Sequence, residues 1–109
     1  MPLPTRSSEW NREVGLRLAS TRNALGLTQE QLGNEINVSR TALGNWEKGI
    51  RLPDPAAIMR LAERFGIPMD WVYRGDPSGL PQRYAPALLG KISWSSDEET
   101  SEKKARSST

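Results

Sequence analysis

Two helix-start signals follow each other closely in this chain and constrain its fold more than any other feature. The first is Thr28 followed by Gln31, a spacing in which the threonine hydroxyl caps a helix and the glutamine side chain bonds back to the cap. The second is Ser39, which precedes another helix-forming run. Between them lies Asn37, a residue that tolerates the left-handed backbone conformation. The sequence therefore predicts two short helices joined by a tight turn.

Each start signal is reinforced by a pair of apolar residues that flank the cap. Leu27 precedes Thr28 and is matched by Leu32, and Val38 precedes Ser39 and is matched by Leu43. Such pairs act as hydrophobic staples that fix the angle at which the chain enters a helix. The pattern strengthens the prediction of two separate helices that meet at a sharp angle.

Three more helical runs flank this pair. The first begins at Glu9, the second follows a loop from Ile50 to Pro55 in which Asp54 is the expected cap, and a short last one opens at Pro68. Their apolar stripes are Trp10, Val14 and Leu18; Ile58, Leu61, Ala62 and Phe65; and Met69, Trp71 and Val72. Five helices with short links and no alternating strand pattern predict an all-α fold.

The chain divides into four parts by composition. Residues 1–8 carry prolines and small polar residues and are expected to form a flexible arm. Residues 9–76 hold the five helices. Residues 77–94 are a proline-containing extension, which we expect to be a dimerisation or docking segment, either as a short helix or without one. Residues 95–109 lack large apolar side chains and are expected to be disordered.

Composition also excludes several classes of protein. The 109 residues include no histidine and no cysteine, so the commonest general base, the commonest metal ligand and any disulfide are absent. No glycine-rich phosphate loop follows a strand. We therefore expect no enzymatic activity, no metal and no cofactor. The amino end lacks a signal-peptide core and no apolar run approaches the ~20 residues that span a bilayer, so we expect a cytoplasmic protein that does not engage membranes.

The helix that begins after Ser39 carries an unusual outer face. Arg40, Thr41, Asn45 and Lys48 share one side of it, with Gly44 in their midst. A glycine inside a helix costs about 1 kcal/mol relative to alanine. Such a face is either an ordinary solvated surface or a surface shaped to present donors and acceptors to base edges, for which asparagine and arginine are well suited. The net charge of +2 is a weak guide, so any positive field has to be local.

These segments together resemble the lambda-repressor-like DNA-binding domains of the Cro and Xre type. The resemblance rests on "LTQEQLGNEINVSRTALGNWEKG" followed by "LPDPAAIMRLAERFGIPMDWVYRG" and covers roughly Trp10 to Asp76. It implies a compact five-helix domain with a helix-turn-helix. Two positions depart from the family pattern, since Gly33 stands where alanine is usual and Asn37 where glycine is usual.

The resemblance also implies a role for individual residues, which are expected to contact double-stranded DNA. By this resemblance, the residues that read bases are Arg40, Thr41 and Asn45. The residues that contact phosphates are Gln29, Lys48 and Arg51, and Ser39 contacts the DNA backbone or a base edge. Arg22 and Glu47 correspond to an internal salt bridge of the family. Because Arg22 projects from an apolar helix face, its charge needs such a partner.

The function implied is that of a sequence-specific transcriptional regulator, expected to be a repressor in the nucleoid. It would bind a palindromic operator as a homodimer, with the helix Ser39–Lys48 in the major groove. Residues 80–94 and the helix with Trp71, Val72 and Tyr73 are the expected dimer surface. Two alternatives stay open: an antitoxin-type regulator whose segment Leu80–Thr109 folds onto a partner protein, and a protein-interaction module that has lost DNA binding.

Overall fold

The computed structural model describes the backbone of residues 3–93 and the side chains of residues 8–90. The all-α prediction is confirmed, because the described residues form helices joined by turns and loops. The five predicted helices are present and a sixth follows them. They are α1 (Leu3–Ala24), α2 (Gln29–Ile36), α3 (Arg40–Glu47), α4 (Pro55–Phe65), α5 (Met69–Arg74) and α6 (Ala85–Ser93). None of these helices has both the length and the apolar character needed to cross a bilayer.

The turn between α2 and α3 has the local structure that the sequence predicts. The backbone N–H of Gln31 donates to Thr28 Oγ1 at 3.1 Å, and the N–H of Thr28 donates to Gln31 Oε1 at 2.9 Å. Asn37 ends α2 in the left-handed conformation, at φ 60°. Ser39 Oγ then accepts the N–H of Ala42 at 3.0 Å and starts α3. Local signals are therefore sufficient to place both motif helices.

Two helix starts differ from the sequence-based expectation. α1 begins at Leu3, six residues before the expected start at Glu9, so part of the predicted arm is helical. Pro4 stands in the first turn, where a missing N–H and a preset φ cost a helix nothing. At α4, Asp54 occupies the cap position but its carboxylate makes no cap hydrogen bond. The N–H of Ala57, which such a cap would satisfy, donates instead to the backbone carbonyl oxygen of Asp54 at 3.0 Å.

The extension after α5 packs on the helices that precede it. The turn at its start is held by Asp76, whose carboxylate accepts the backbone N–H and the hydroxyl of Ser78. These two hydrogen bonds lower the pKa of Asp76. α6 follows and lies against α1, where Leu88 is fully buried. Leu80 and Tyr84 cover the same core. This part of the extension thus belongs to the folded unit, while the predicted disordered tail (95–109) and Trp94 lie outside the described residues.

The core is continuous across all six helices. It includes two residues that the sequence analysis had placed in the expected dimer surface. Trp71 and Val72 are buried within it, so they are not a free surface for a second copy. The Trp71 indole N–H donates to the hydroxyl of buried Thr21 at 2.9 Å. Trp10, by contrast, is 42% exposed. The buried apolar residues are Val14, Leu18, Leu32, Ile36, Leu43, Trp46, Ala57, Ile58, Leu61, Ile67, Trp71, Val72 and Leu88.

Two glycines allow the helices around α3 to approach closely. A Cβ atom on Gly15 of α1 would lie 2.5 Å from the carbonyl oxygen of Trp46 and 2.6 Å from that of Glu47. A Cβ atom on Gly33 of α2 would collide with the carbonyl oxygen of Val38. The Gly33 departure from the family pattern therefore has a structural reason, since the turn to α3 lies directly against this position.

We expect Gly15→Ala to destabilise the fold by about 1–3 kcal/mol, because the added methyl group has to displace backbone rather than a flexible side chain. Gly90→Ala is the matched control, since Gly90 is also helical and a Cβ atom there meets nothing within 4 Å. That control should be neutral or stabilising by up to about 1 kcal/mol. Urea unfolding of both variants measures the difference. Equal midpoints for Gly15→Ala and the parent would refute the close-approach assignment.

Candidate nucleic-acid interface

Helix α3 has one face fixed in the core and the opposite face open to solvent. Leu43 and Trp46 are buried, and they hold the helix against the rest of the core. Arg40, Thr41 and Lys48 are exposed on the other side. The spacing of these residues on a 3.6-residue helical turn separates the two faces. α3 is thus a rigid platform that presents polar side chains outward.

The open face of α3 forms one shallow depression with the amino end of α2. The depression has a volume of about 300 Å³. It is lined by Gln29, Arg40, Thr41, Gly44, Asn45 and Lys48. The structure therefore brings together on one surface five of the seven residues to which the family resemblance gives a DNA contact.

The other two of these residues lie outside the depression. Ser39 is exposed at the amino end of α3, and its oxygen is used in capping the helix. Arg51 is exposed in the loop after α3. Within the described residues, neither Arg51 nor the cations Arg40 and Lys48 pair with a carboxylate. All three positive charges are consequently available to an external anion.

A network of polar side chains holds α3 from behind. The Arg22 Nε donates to Glu47 Oε2 at 2.7 Å, and its Nη2 donates to Oε1 at 3.1 Å. The remaining Nη1 donates to the carbonyl oxygen of Leu27 at 2.9 Å. The side chains of Arg22 and Glu47 are only 16% and 7% exposed. The structure thus contains the ion pair that the sequence suggests, and the pair is bidentate and largely buried.

Gln29 joins this network to the depression. Its Nε2 donates to Glu47 Oε1 at 3.0 Å. The same amide lies beside Gly44, where a Cβ atom would be 3.8 Å from both amide heteroatoms. Gln29 therefore braces α3 through Glu47 while its side chain forms part of the wall of the depression. A methyl group on Gly44 meets only ordinary van der Waals contacts inside the protein, so the fold does not require this glycine.

The loop between α3 and α4 is attached to α5 by Tyr73, which the sequence analysis placed only in the expected dimer surface. The Tyr73 hydroxyl donates to the carbonyl oxygen of Pro53 at 2.7 Å. Burial, with a smaller contribution from the charge of Asp54, raises the pKa of Tyr73 to about 12. The phenol therefore stays protonated, and remains a donor, throughout the physiological range. A single tyrosine hydroxyl facing a distant loop leaves no local pattern by which the sequence reveals it.

Helix α1 caps the carboxyl end of α5 with two side chains. Arg17 donates to the carbonyl oxygens of Val72 at 3.1 Å and Tyr73 at 3.2 Å, and the Trp10 indole donates to that of Tyr73 at 2.8 Å. Burial lowers the pKa of Arg17, against an opposing contribution from Glu13. A cation at this end of a helix also interacts favourably with the helix dipole.

Comparison with known proteins identifies the family. Residues 18–72, about half of the chain, match the family model described as helix-turn-helix. The chain belongs to the helix-turn-helix family. The matched range contains the whole of α2, the turn and α3, so the resemblance to Cro and Xre type domains is confirmed.

Three curated relatives share this helix-turn-helix region. The chain is 33% identical over 64 residues to the HTH-type transcriptional activator BcrR of Enterococcus faecalis, covering 59% of this chain and 31% of the relative. It is 27% identical over 63 residues to the HTH-type transcriptional regulator ImmR of Bacillus subtilis, covering 58% and 50%. It is also 27% identical over 70 residues to Multiprotein-bridging factor 1 of Eremothecium gossypii, covering 64% and 46%.

The match therefore spans half or less of the length of each of these relatives. No solved structure matches the chain significantly.

We expect Glu47→Gln to destabilise this helix-turn-helix domain by about 3 kcal/mol, because it leaves the Arg22 charge largely buried without a compensating carboxylate. Glu35→Gln is the matched control, since Glu35 pairs with Arg64 at 3.1 Å but the two side chains are 45% and 56% exposed. An exposed pair of this kind contributes less than about 1 kcal/mol. Denaturant unfolding of both variants measures the contrast. Similar losses in the two would show that burial of the pair is unimportant.

Proposed function

We propose that this protein is a sequence-specific DNA-binding transcriptional regulator, with the open face of α3 in the major groove. The observation that carries the proposal is the depression formed by Gln29 and the outer residues of α3, in which the cations Arg40 and Lys48 pair with no carboxylate of the described residues. Family membership supports it, because the second helix of a helix-turn-helix enters the major groove while the first crosses the DNA backbone. The names of two relatives, a transcriptional activator and a transcriptional regulator, point the same way.

Base reading is proposed for three residues of α3. The Arg40 guanidinium matches the paired acceptors of guanine, the Asn45 amide matches the donor and acceptor of adenine, and the Thr41 hydroxyl suits either. All three line the depression. Their placement on the core-supported helix, rather than on a loop, keeps the donors and acceptors in a fixed arrangement.

Phosphate contacts are proposed for the residues around this reading face. Gln29 stands at the first position of α2, where the helix dipole favours an anion. Lys48 and Arg51 follow α3 at its carboxyl end and are exposed. The Ser39 hydroxyl keeps a proton to donate to the DNA backbone, because its oxygen only accepts in the cap. These contacts would supply affinity and register but no sequence information.

The proposal extends to the oligomeric state, the operator, the direction of regulation and the location in the cell. We infer a homodimer on a palindromic operator with half-sites about one helical turn, ~34 Å, apart. We infer repression, because a domain that occupies an operator excludes other proteins from the same DNA, and we place the protein in the cytoplasm, associated with the nucleoid. One relative is named an activator, so a reporter gene behind the selected operator is the measurement that decides the direction of regulation.

A second candidate is a module that bridges proteins. It is favoured by the name of one relative, Multiprotein-bridging factor 1, and by the modest net charge of +2. If the protein is such a module, we expect it to show no detectable affinity for DNA even at low ionic strength, where phosphate contacts are strongest. Low-salt binding to random-sequence DNA therefore separates the two candidates.

Selection of bound DNA from a random pool tests the DNA-reading assignment. We expect the parent to enrich a palindrome and Arg40→Ala and Asn45→Ala each to lose preference at one or two positions, at a cost of about 1–3 kcal/mol per base contact. Arg64→Ala is the control, since it removes an exposed cation of α4 that pairs with Glu35. It should leave the selected sequence unchanged. Unaltered preference in both α3 variants would reject these two residues as the readers.

A separate prediction concerns Gly44. Gly44→Ala should stabilise the fold by up to about 1 kcal/mol through helix propensity, since its methyl group meets no close contact. We expect it to weaken DNA binding at least about fivefold, because the methyl group stands at the centre of the face that has to approach the bases and overpacking costs about 1 kcal/mol or more. Thermal melting and a binding titration test the two halves. Parental affinity in Gly44→Ala would show that the glycine is merely tolerated.

A further inference from the structure

We propose that Tyr73 is a positioning residue for DNA binding, which acts by holding the α3–α4 loop so that Arg51 is aimed at the phosphate backbone. The inference rests on the proposed function and deepens it by one residue that lies outside the reading face. Its basis is the hydrogen bond from the Tyr73 hydroxyl to the carbonyl oxygen of Pro53, two residues after Arg51. Tyr73 itself touches no part of the depression.

The loop is fixed at its two ends by backbone hydrogen bonds. At its start, the N–H of Ile50 donates to the carbonyl oxygen of Asn45 at 3.0 Å. At its end, the carbonyl oxygen of Asp54 accepts the N–H groups of Ala57 and Ile58 in α4. Within the part of the chain that the structure describes, the stretch 51–53 makes one hydrogen bond, and its donor is the Tyr73 hydroxyl. This bond restrains the middle of the loop together with the packing of Leu52 against the core and the burial of Pro53.

Tyr73 is itself held in place from the opposite side. Its carbonyl oxygen accepts both the Trp10 indole and an N–H of Arg17. Both donors come from α1, the long helix that also packs closely on α3 through Gly15. Tyr73 therefore connects the loop that carries Arg51 to α1, the same helix that sets the position of α3.

A fixed loop matters because Arg51 is an exposed side chain with no partner of its own in the described residues. When a loop is held in its binding conformation, less ordering entropy is lost on association, so each phosphate contact contributes more to affinity. Without the bond to Pro53, the loop is held by packing alone, and more of its freedom has to be lost when DNA binds. Loss of the hydroxyl is therefore expected to weaken the Arg51 contact without altering α3.

The test is a double-mutant cycle of DNA affinity with Tyr73→Phe, Arg51→Ala and the combined variant. Tyr73→Phe keeps the ring and removes only the hydroxyl, so the fold is expected to survive. We expect it to weaken binding about threefold, in the range for one net hydrogen bond, and to reduce the salt dependence of binding as the loss of part of a phosphate contact does. In the Arg51→Ala background the same substitution should have no further effect.

Tyr84→Phe is the matched control, because Tyr84 is also half-buried and its hydroxyl makes no hydrogen bond in the described residues. It should bind DNA as the parent does. Parental affinity in Tyr73→Phe or in Arg51→Ala overturns the inference, and so does an equal loss from Tyr73→Phe with and without Arg51. Absence of any DNA binding by the parent at low salt would instead reject the proposed function, so the two failures are distinguishable.

Discussion

The carboxylate of Glu47 is the point on which the arrangement of the motif depends. It stands at the last turn of α3 and accepts hydrogen bonds from Arg22 of α1 and Gln29 of α2. Three helices are therefore tied together through one side chain that is almost completely removed from solvent. Because the buried charge is satisfied only when all three helices are in place, the pair favours one relative orientation over others that bury the same apolar surface.

The absence of side chains at two places makes this arrangement possible. Gly15 lets α1 lie against the carbonyl oxygens at the end of α3, and Gly33 lets the turn fold back onto α2. The ion pair and these close approaches act on the same element, since both set how α3 lies on the other helices. The position of the loop after α3 also depends on α1. The backbone carbonyl of Tyr73 is bound by α1, and the hydroxyl of Tyr73 donates to Pro53 in the loop.

Local signals in the sequence were sufficient for much of the fold. The cap at Thr28 and the left-handed Asn37 each depend on residues a few positions apart, and both are present in the structure. The extra turns of α1 and the packing of α6 were not predicted, because proline-containing segments carry weak local signals and their structure depends on tertiary contacts. The interpretation of Trp71 as part of a dimer surface was wrong for a related reason. Periodicity shows that a side chain is apolar and on one face, but not whether its own domain covers that face.

The candidate site shows the same division. Helical spacing places Arg40, Thr41, Asn45 and Lys48 on one face, and a charged Arg22 on an apolar stripe calls for a partner. A Cβ atom on Gly33 would meet the carbonyl oxygen of Val38, whereas one on Gly44 would meet only ordinary van der Waals contacts, and the sequence alone gives neither contact. The hydrogen bond from Tyr73 to Pro53 was not predicted, because the two residues lie 20 positions apart in the chain.

The low net charge is consistent with a DNA-binding surface when the partners of individual cations are compared. Arg22 and Arg64 are neutralised by glutamates, Arg74 lies 3.9 Å from Asp70, and Arg17 is directed at backbone carbonyls. Arg40, Lys48 and Arg51 have no such partners in the described residues. Charges more than about 10 Å apart are largely screened from each other at ordinary ionic strength. The field that a phosphate backbone meets is therefore set by the cations around α3, and the sum over the whole chain says little about it.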